Sequence, residues 1–449
     1  RLLETARAWV LAHPQAQQPW DRKGFRYPGF EPQSLEGRAF FFNAWPQLRR
    51  KSPTEDRAPG VLLHVLGQAL QRDIDAGLAI EQRYFAQVVT SPSAKNRIRT
   101  QFIAVNAARK LTRRSPDVPR FEPKRVGVIG AGTMGAGIAL VCARAGIATV
   151  LLDRDDTTAA RGRERIAKTL DGSVERKLMG AQERDAILGR LQAGSDFELL
   201  QGCDLVVEAV IEVAEAKREV FERVLAAAGP DVLLATNTST LSISGLAKTV
   251  AHPRNFIGLH FFAPVDRMAL VEVIMGADTS EATLARSLDF LRLLGKTPVV
   301  VNDGPGFYTS RVVGAYTREA LHLLNEGVSP ALIDNAAFIA GLPIGPLAMA
   351  DLTSYDLLAD IVGSLAREAR GTAVQSQGAQ QAIAKLLGAG RLGRKAAGGV
   401  YDYPPEGKTV WSGLAELFPP RSPQPSTQEV VNRLPVSYTH LTLPTILLV

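Results

Sequence analysis

Cysteine is scarce in this chain, which has only Cys142 and Cys203 among its 449 residues. This scarcity excludes a disulfide-rich scaffold, and because both cysteines lie in apolar segments we expect buried, reduced thiols in a reducing compartment. The chain also lacks an apolar run of the ~20 residues that a membrane-spanning helix needs, so we expect no transmembrane segment. No cysteine or histidine spacing is typical of a zinc finger, and we predict no metal site.

Aromatic residues make up only 6% of the chain and are not interleaved with basic ones. The net charge of +7 suits an anionic partner, but the basic residues are scattered, as on an ordinary solvated surface. We therefore predict no nucleic-acid partner. The chain begins at Arg1 rather than at a methionine, which favours a piece of a longer protein and leaves the absent signal peptide uninformative.

The chain is long enough for two to four domains at the usual ~100–200 residues each, and 46% of it is hydrophobic. Residues 1–122 show helical spacing, clearest at 60–70 and 76–85, and they end in a linker with three prolines at 113–124. From 123 to 302, short apolar strands alternate with helical segments, which predicts a Rossmann-type doubly wound α/β sheet. The predicted strands lie at 126–129, 148–152, 203–210, 232–236, 256–259, 270–274 and 298–301.

The strand pattern stops after residue 303. Helical patterns continue over 303–402, which predicts an all-α C-terminal domain, and a further helical segment starts within 403–435. The tail 436–449 breaks this phase and offers no cap or charge. It looks like a non-native read-through, so we exclude it from the fold.

A glycine-rich loop joins the first predicted strand to a helix. Gly130 permits a tight turn, Gly132 lets the backbone approach a pyrophosphate, and Gly135 lets helix and strand pack closely. The helix N-terminus then offers N–H groups to phosphates. Asp153, at the end of the second strand, is placed to accept from ribose hydroxyls and to repel a 2′-phosphate, which favours NAD over NADP. The candidate cofactor residues of this region are Gly130, Gly132, Thr133, Met134, Gly135 and Asp153.

The candidate chemistry lies in the second half of the sheet domain. His260 follows the strand at 256–259, and Glu272 lies twelve residues later in the next strand. A histidine can take a proton from a hydroxyl, and a carboxylate on its other nitrogen orients the ring. Asn237 and Ser239 follow another strand, at the edge where ligands bind in such sheets. Each residue alone also has an ordinary structural explanation: a core histidine, a surface glutamate or helix caps.

Four sequence blocks carry a specific resemblance. They are Asn237-Thr-Ser-Thr, Leu259-His-Phe-Phe-Ala-Pro-Val265, Met268-Ala-Leu-Val-Glu-Val-Ile274 and Asp303-Gly-Pro-Gly-Phe-Tyr308. In this order and spacing the chain resembles the L-3-hydroxyacyl-CoA dehydrogenases. More narrowly, it is similar to the dehydrogenase part of multifunctional fatty-acid β-oxidation alpha subunits, over about 58–434. The resemblance implies NAD-dependent oxidation of L-3-hydroxyacyl-CoA to 3-oxoacyl-CoA.

The resemblance also implies roles for individual residues. It implies His260 as the catalytic base with Glu272 as its orienting partner, Ser239 on the substrate oxygen, and Asn237 near both cofactor and substrate. It further implies that Glu212 and Lys217 contact NAD, and that Thr169 and Arg176 contact the coenzyme A moiety; a solvated helical face is an equally good explanation of the last two.

Two departures from the family pattern leave alternatives open. Ala263 and Ser310 stand where the family often has asparagine, Ser310 at an active-site position. A catalytically silent cofactor-binding scaffold is therefore one alternative, and a short-chain 3-hydroxybutyryl-CoA dehydrogenase is another. The resemblance implies that 1–122 is a helical remnant and linker following an absent enoyl-CoA hydratase domain, so we expect no hydratase activity. A thiolase subunit is the implied partner. A bacterial cytoplasm is the favoured compartment, with an organelle as the alternative.

Overall fold

A computed structural model describes residues 2–25, 28–51, 57–304, 306–359, 377–396 and 398–435. The predicted non-native tail 436–449 lies outside these residues. The chain divides into two compact units. The first comprises Arg1–Phe102 with Asp334–Gly345, and the second comprises Ile103–Ile333 with Pro346–Val449.

The first unit is helical where it is described, as the spacing predicts. Asp73 caps one helix by accepting from the N–H of Ala76 at 2.8 Å, which satisfies a donor that the first turn leaves unpaired. Phe42 and Phe85 are 79% and 66% exposed, so this unit buries little apolar surface by itself. Its helices are α1 Leu2–Ala12, α2 Leu35–Lys51, α3 Ala58–Ala69, α4 Ile74–Val89 and α5 Pro92–Arg97.

The second unit is built on one eight-stranded sheet. Its strands are β1 Arg125–Ile129, β2 Ala148–Leu152, β3 Leu191–Gly194, β4 Leu205–Glu208, β5 Leu233–Thr236, β6 Phe256–Phe261, β7 Leu270–Met275 and β8 Thr297–Asn302. The strand order is β3-β2-β1-β4-β5-β6-β7-β8, and all neighbours are parallel except β6 and β7. The order reverses between β2-β1 and β4, as in the predicted doubly wound fold.

Helices cover both faces of this sheet. They are α6 Val105–Arg109, α7 Thr133–Arg144, α8 Asp156–Glu175, α9 Ala181–Gly189, α10 Ala214–Ala228, α11 Ile243–Ala247 and α12 Glu281–Leu293. The apolar residues of α7, α8 and α12 pack on one face, and those of α10 and α11 pack on the other. Cys142 and Cys203 are buried and unpaired, as expected. Burial raises the pKa of their thiols to about 12 and about 11.

The segment 113–124, predicted as a linker, is held against the sheet domain. Nε and Nη2 of Arg114 donate to the carboxylate of Asp289 on α12, at 2.9 and 2.8 Å. The same carboxylate accepts from the N–H of Phe121 at 3.0 Å. Because the Asp289 side chain is only 1% exposed, this contact ties the segment to the domain core.

The part after residue 303 is mainly helical, with α13 Thr309–Asn325, α14 Pro330–Ile339, α15 Pro346–Thr353, α16 Gln377–Gly388, α17 Leu414–Leu417 and α18 at 427–435. It departs from the prediction in one short hairpin, β9 Tyr401–Asp402 paired with β10 Thr409–Val410. The buried carboxylate of Asp351 accepts from the backbone of Val400 and Tyr401 at 2.9 and 3.0 Å and holds that hairpin on α15.

The helix α18 belongs to the same packing. Arg433 bridges Glu319 of α13 and Glu326, the residue after that helix, at 2.8 and 2.7 Å, and Val430 and Leu434 are buried. No described helix is both long and apolar enough to cross a membrane. Across the described ranges, no group of His, Cys, Asp and Glu side chains could hold a metal ion.

Candidate active site

The glycine loop between β1 and α7 has the geometry that a dinucleotide requires. Gly130 has φ of +102°, and a Cβ there would lie 2.5 Å from the carbonyl oxygen of Ala209. A Cβ on Gly135 would lie 1.7 Å from the carbonyl oxygen of Gly130, so helix and loop touch directly. A Cβ on Gly132 would meet nothing within 4 Å. The loop is therefore packed behind and open in front, where a pyrophosphate would lie.

The open side of this loop faces the first turn of α7. Thr133 and Met134 begin that helix, whose unpaired N–H groups and positive end favour a phosphate. Asp153, directly after β2, accepts from the N–H of Ala131 at 2.6 Å. The acid that was predicted to bind the ribose therefore holds the loop, and its contact with the ribose remains a prediction. These residues fit a bound NAD.

Lys217 and Glu212 form an ionic cluster with Glu208, a residue that was not predicted; Lys217 and Glu208 are buried, whereas Glu212 is 36% exposed. Lys217 Nζ is 2.8 and 3.0 Å from the two carboxylate oxygens of Glu208 and 3.3 Å from Glu212 Oε2. Lys217 and Glu208 are both fully buried. The ammonium of Lys217 is thus occupied within the protein, and its contact with NAD remains a prediction. An acid ending an otherwise apolar strand was the available signal for Glu208.

Glu212 also brings Ser239 into the site. Its Oε1 atom accepts from the N–H and hydroxyl of Ser239 at 2.7 and 3.1 Å, and from Thr238 and Thr240. Partial burial of the carboxylate opposes ionisation of Glu212, but the Lys217 ammonium and these hydrogen bonds outweigh it and lower the pKa of Glu212. The loop after β5 is thereby fixed to the loop after β4.

His260 and Glu272 are directly opposite each other in the antiparallel pair β6–β7. His260 Nδ1 lies 2.7 Å from Glu272 Oε2, and both residues are buried. Antiparallel pairing places facing side chains on the same side of a sheet, which explains the contact. His260 lies within β6 rather than after it, since the strand extends beyond the predicted end at Leu259.

The carboxylate of Glu272 has further donors, from the start of α13. Its Oε1 accepts from the N–H groups of Tyr308 and Thr309 at 3.1 and 2.8 Å, and its Oε2 accepts from the Thr309 hydroxyl at 2.7 Å. Burial opposes ionisation of Glu272, but the hydrogen bonds from His260 and Thr309 outweigh it and lower the pKa of Glu272. Ser310 is the next residue of α13. Thr309 was not predicted, although it lies between the block ending at Tyr308 and Ser310.

Asn237 joins the two halves of the site. Its Oδ1 accepts from the N–H of Phe261 at 2.8 Å, and its own N–H donates to the carbonyl of Glu208 at 2.7 Å. Asn237 therefore connects the end of β4, near the cofactor loop, to β6, the strand that carries His260. The ring of His260 packs against Phe262, with ring centroids 4.4 Å apart.

Thr169 and Arg176 lie apart from these contacts, on α8 and at its C-terminal cap. The Thr169 hydroxyl and Arg176 Nε donate within the helix, to the carbonyls of Arg165 and Gly172 at 3.0 and 2.8 Å. A spacing of seven residues places them on one side of a helix. Arg176 is exposed. Neither is joined to the dyad by a hydrogen bond in the described part of the chain, so their contact with coenzyme A remains a prediction.

Two known protein-family models match consecutive parts of this chain. The family described as 3-hydroxyacyl-CoA dehydrogenase, NAD binding domain, matches residues 125–304, and that described as 3-hydroxyacyl-CoA dehydrogenase, C-terminal domain, matches 306–403. The chain belongs to the 3-hydroxyacyl-CoA dehydrogenase family. The match confirms the predicted family, the Rossmann-type fold with its helical C-terminal domain, and NAD as the cofactor of an oxidoreductase.

Individual proteins are also similar to this chain in sequence or structure. The solved structure of (S)-3-hydroxybutyryl-CoA dehydrogenase from Ralstonia eutropha is 35% identical, with a TM-score of 0.60 over 63% of this chain and 100% of its own. Fatty acid oxidation complex subunit alpha from Shewanella baltica is 34% identical over 408 residues, 90% of this chain. The chain spans 56% of that relative's length.

Proposed function

We propose that this protein catalyses the NAD-dependent oxidation of L-3-hydroxyacyl-CoA to 3-oxoacyl-CoA. The observation that carries the proposal is the buried His260–Glu272 pair, with 2.7 Å between Nδ1 and Oε2. Hydrogen bonds from His260 on β6 and from the start of α13 favour the charged form of Glu272. A silent scaffold has no need for a buried carboxylate held against a histidine ring, so this pair favours an enzyme over the scaffold.

His260 is the proposed base. Because the Nδ1–H group of His260 donates a hydrogen bond to Glu272, Nε2 is the ring nitrogen that accepts the proton of the substrate hydroxyl. The carboxylate of Glu272 stabilises the imidazolium that forms. NAD, when bound at the glycine loop, supplies the acceptor for the hydride of the oxidised carbon. The remaining task of the protein is to hold the substrate oxygen.

We assign the substrate oxygen to Ser239. Glu212 Oε1 has five donors within 3.2 Å, more than the lone pairs of one oxygen can serve. The Ser239 hydroxyl can therefore turn from Glu212 to the substrate at little cost. Asn237 keeps β6 in register with this loop through Phe261. Ser310, one residue beyond Thr309 on α13, is the proposed further hydroxyl of the active site.

Arg176 and Thr169 are the proposed contacts of the coenzyme A moiety, because that moiety is polyanionic and Arg176 is an exposed cation. Arg176→Gln should raise KM for acetoacetyl-CoA about 3- to 10-fold with little change in kcat, the range of a single charged contact. It should not change KM for acetoacetyl-pantetheine, which lacks the phosphates. Arg163→Gln, on another side of α8, is the matched control. Equal effects on both thioesters would remove Arg176 from the coenzyme A site.

The activity itself is tested by reducing 3-oxoacyl-CoA substrates of different chain length with NADH. We expect turnover with acetoacetyl-CoA and with a long-chain 3-oxoacyl-CoA, and oxidation of the L but not the D isomer of 3-hydroxybutyryl-CoA in reverse. Turnover of acetoacetyl-CoA alone would favour the short-chain alternative. A protein that binds NADH and reduces neither substrate would be the silent scaffold.

The larger assembly is proposed on the relatives' names alone. A fatty acid oxidation complex subunit alpha is by its name part of a complex, and we propose a thiolase subunit as the partner and a bacterial cytoplasm as the compartment. We also propose the predicted division, with a remnant and linker over 1–122, a cofactor domain at 123–302, a helical domain at 303–402 and the start of a second helical repeat at 403–435. Co-purification with a coexpressed thiolase tests the partnership, and its absence at micromolar concentrations would count against it.

A further inference from the structure

The Glu272 carboxylate receives more hydrogen bonds from Thr309 than from its catalytic partner. Thr309 donates its N–H to Oε1 at 2.8 Å and its hydroxyl to Oε2 at 2.7 Å. It is therefore the one residue, among those described, that hydrogen-bonds both carboxylate oxygens. The hydroxyl shares Oε2 with His260 Nδ1, which lies at the same 2.7 Å.

This arrangement fixes the carboxylate in one orientation. Two parallel hydrogen bonds to both oxygens hold its plane, as a bidentate contact does, and leave Oε2 aimed at the imidazole. The contact also crosses from the strand β7 to the first turn of α13. The end of that helix has unpaired N–H groups and a partial positive charge, which favour a carboxylate there.

We propose that Thr309 is a positioning residue of the reaction, which holds the Glu272 carboxylate in place and stabilises its negative charge by hydrogen bonds. Because that charge is stabilised, the His260–Glu272 dyad takes up its proton at a lower pH. The inference rests on the proposed function and adds a residue to it. The groups that face Glu272 are His260 on β6, the Thr309 hydroxyl with the N–H groups of Tyr308 and Thr309 on α13, and the apolar register partner Val299 on β8.

Loss of the Thr309 hydroxyl should raise the pH at which the dyad takes up its proton. Removing the Thr309 hydroxyl leaves the charge of Glu272 less neutralised, so the dyad should bind a proton more readily. The acidic limb of kcat/KM for 3-hydroxyacyl-CoA oxidation should then move to higher pH. A shift of about 0.5 to 1 pH unit would correspond to a roughly 3- to 10-fold loss of rate below the limb and little loss on the plateau.

The test compares Thr309→Val, which keeps the backbone N–H but loses the hydroxyl, with Thr309→Ser, which keeps both donors. Thr283→Val is the matched control: its buried hydroxyl donates to the carbonyl of Arg254 at 2.7 Å near the start of α12, outside the site. We expect the shifted limb only in Thr309→Val. A Thr309→Val profile that superimposes on the parent profile would overturn the proposal, as would an equal shift in Thr309→Ser.

A second measurement does not depend on activity. Because the pKa of Glu272 is lowered in the folded protein, its charge stabilises the fold at neutral pH, and this contribution is lost as the pH falls through that lowered pKa. Thr309→Val should therefore lose less Tm between pH 7 and pH 4 than the parent, whereas Thr283→Val should lower Tm similarly at both pH values. Identical acid dependence in Thr309→Val and the parent contradicts the inference. If Thr309→Val does not fold, Thr309→Ala is measured in the same way.

The two readouts separate the inference from the proposed function. A parent protein with no oxidation of 3-hydroxyacyl-CoA refutes the proposed function whatever the variants do. A parent that is active, with a Thr309→Val variant unchanged in both pH profiles, refutes only the role of Thr309.

Discussion

At the scale of single residues, the site depends on one buried charge. Glu272 stays ionised in spite of burial because its donors come from His260 and from the start of α13. His260 lies against it at hydrogen-bond distance in a strand pair whose register leaves little freedom. The orientation of the base is thus set by the sheet, and its charge balance by the helix.

Glu272→Gln tests the charge while keeping the shape. The neutral amide cannot stabilise the imidazolium, so we expect kcat to fall about 10- to 100-fold, which corresponds to losing a charged hydrogen bond of about 1.5–3 kcal/mol. The acidic limb of the pH profile should move to lower pH, opposite to the shift expected for Thr309→Val. A limb that stays in place would show that Glu272 does not act through the histidine.

Asp153→Asn tests the preference for NAD over NADP. The amide oxygen can still accept from the N–H of Ala131 and hold the loop, but the charge that repels a 2′-phosphate is gone. We expect the ratio of kcat/KM values for NAD and NADP to fall about tenfold or more, a change of ~1.4 kcal/mol. Asp156→Asn, an exposed neighbour, is the control. A parent protein that uses both cofactors equally would refute this assignment.

At the scale of elements, the glycine loop gives two contrasting substitutions. Gly132 has an extended backbone and open space in front of it, so Gly132→Ala should fold with unchanged or slightly higher stability. It should nevertheless weaken NAD binding at least about tenfold, because the methyl group would fill the space for the pyrophosphate.

Gly135→Ala should have the opposite effect on the fold. Its Cβ would collide with the carbonyl of Gly130, and we expect a loss of about 1–3 kcal/mol in the free energy of unfolding, typical of overpacking. Calorimetric binding of NADH and thermal unfolding of both variants check the pair. A Gly132→Ala variant with parental NADH affinity would show that the loop does not hold the pyrophosphate.

Most of the sheet could be predicted from the sequence, because buried parallel strands appear as apolar runs between helical segments. The exception was β3, Leu191-Gln-Ala-Gly194, an edge strand of four residues with an exposed glutamine and a terminal glycine. So short a strand, paired on one side only, leaves no recognisable pattern. The hairpin of β9 and β10 has two residues per strand and was missed for the same reason.

Four residues of the candidate site could be singled out from the sequence, but their hydrogen-bond partners could not all be predicted. His260, Glu272, Asn237 and Ser239 stand in recognisable blocks, and two of them pair as expected. Thr309 contacts Glu272 across 37 positions of sequence, and such a contact depends on how α13 is seated, which no local pattern encodes. The burial of Lys217 between Glu208 and Glu212 is likewise a result of tertiary packing.

At the scale of the whole molecule, the first 122 residues should add no hydratase activity. Hydration of an enoyl thioester needs acid and base carboxylates in an enclosed site with an oxyanion hole. In this segment every described Asp and Glu is exposed to solvent. We expect no loss of the enoyl absorbance of crotonyl-CoA under conditions in which acetoacetyl-CoA is reduced. Measurable hydration would show that an acid–base pair had been overlooked.

The central claim is that His260 is the base of an NAD-dependent 3-hydroxyacyl-CoA dehydrogenase. The most direct test measures NADH-dependent reduction of acetoacetyl-CoA by the parent, by His260→Ala and by the control His252→Ala, whose histidine is exposed, with NADH affinity measured in parallel. We expect His260→Ala to lose about 10²- to 10⁴-fold in turnover, the contribution of a general base, with NADH affinity unchanged and His252→Ala equal to the parent. Parental turnover in His260→Ala would contradict the account.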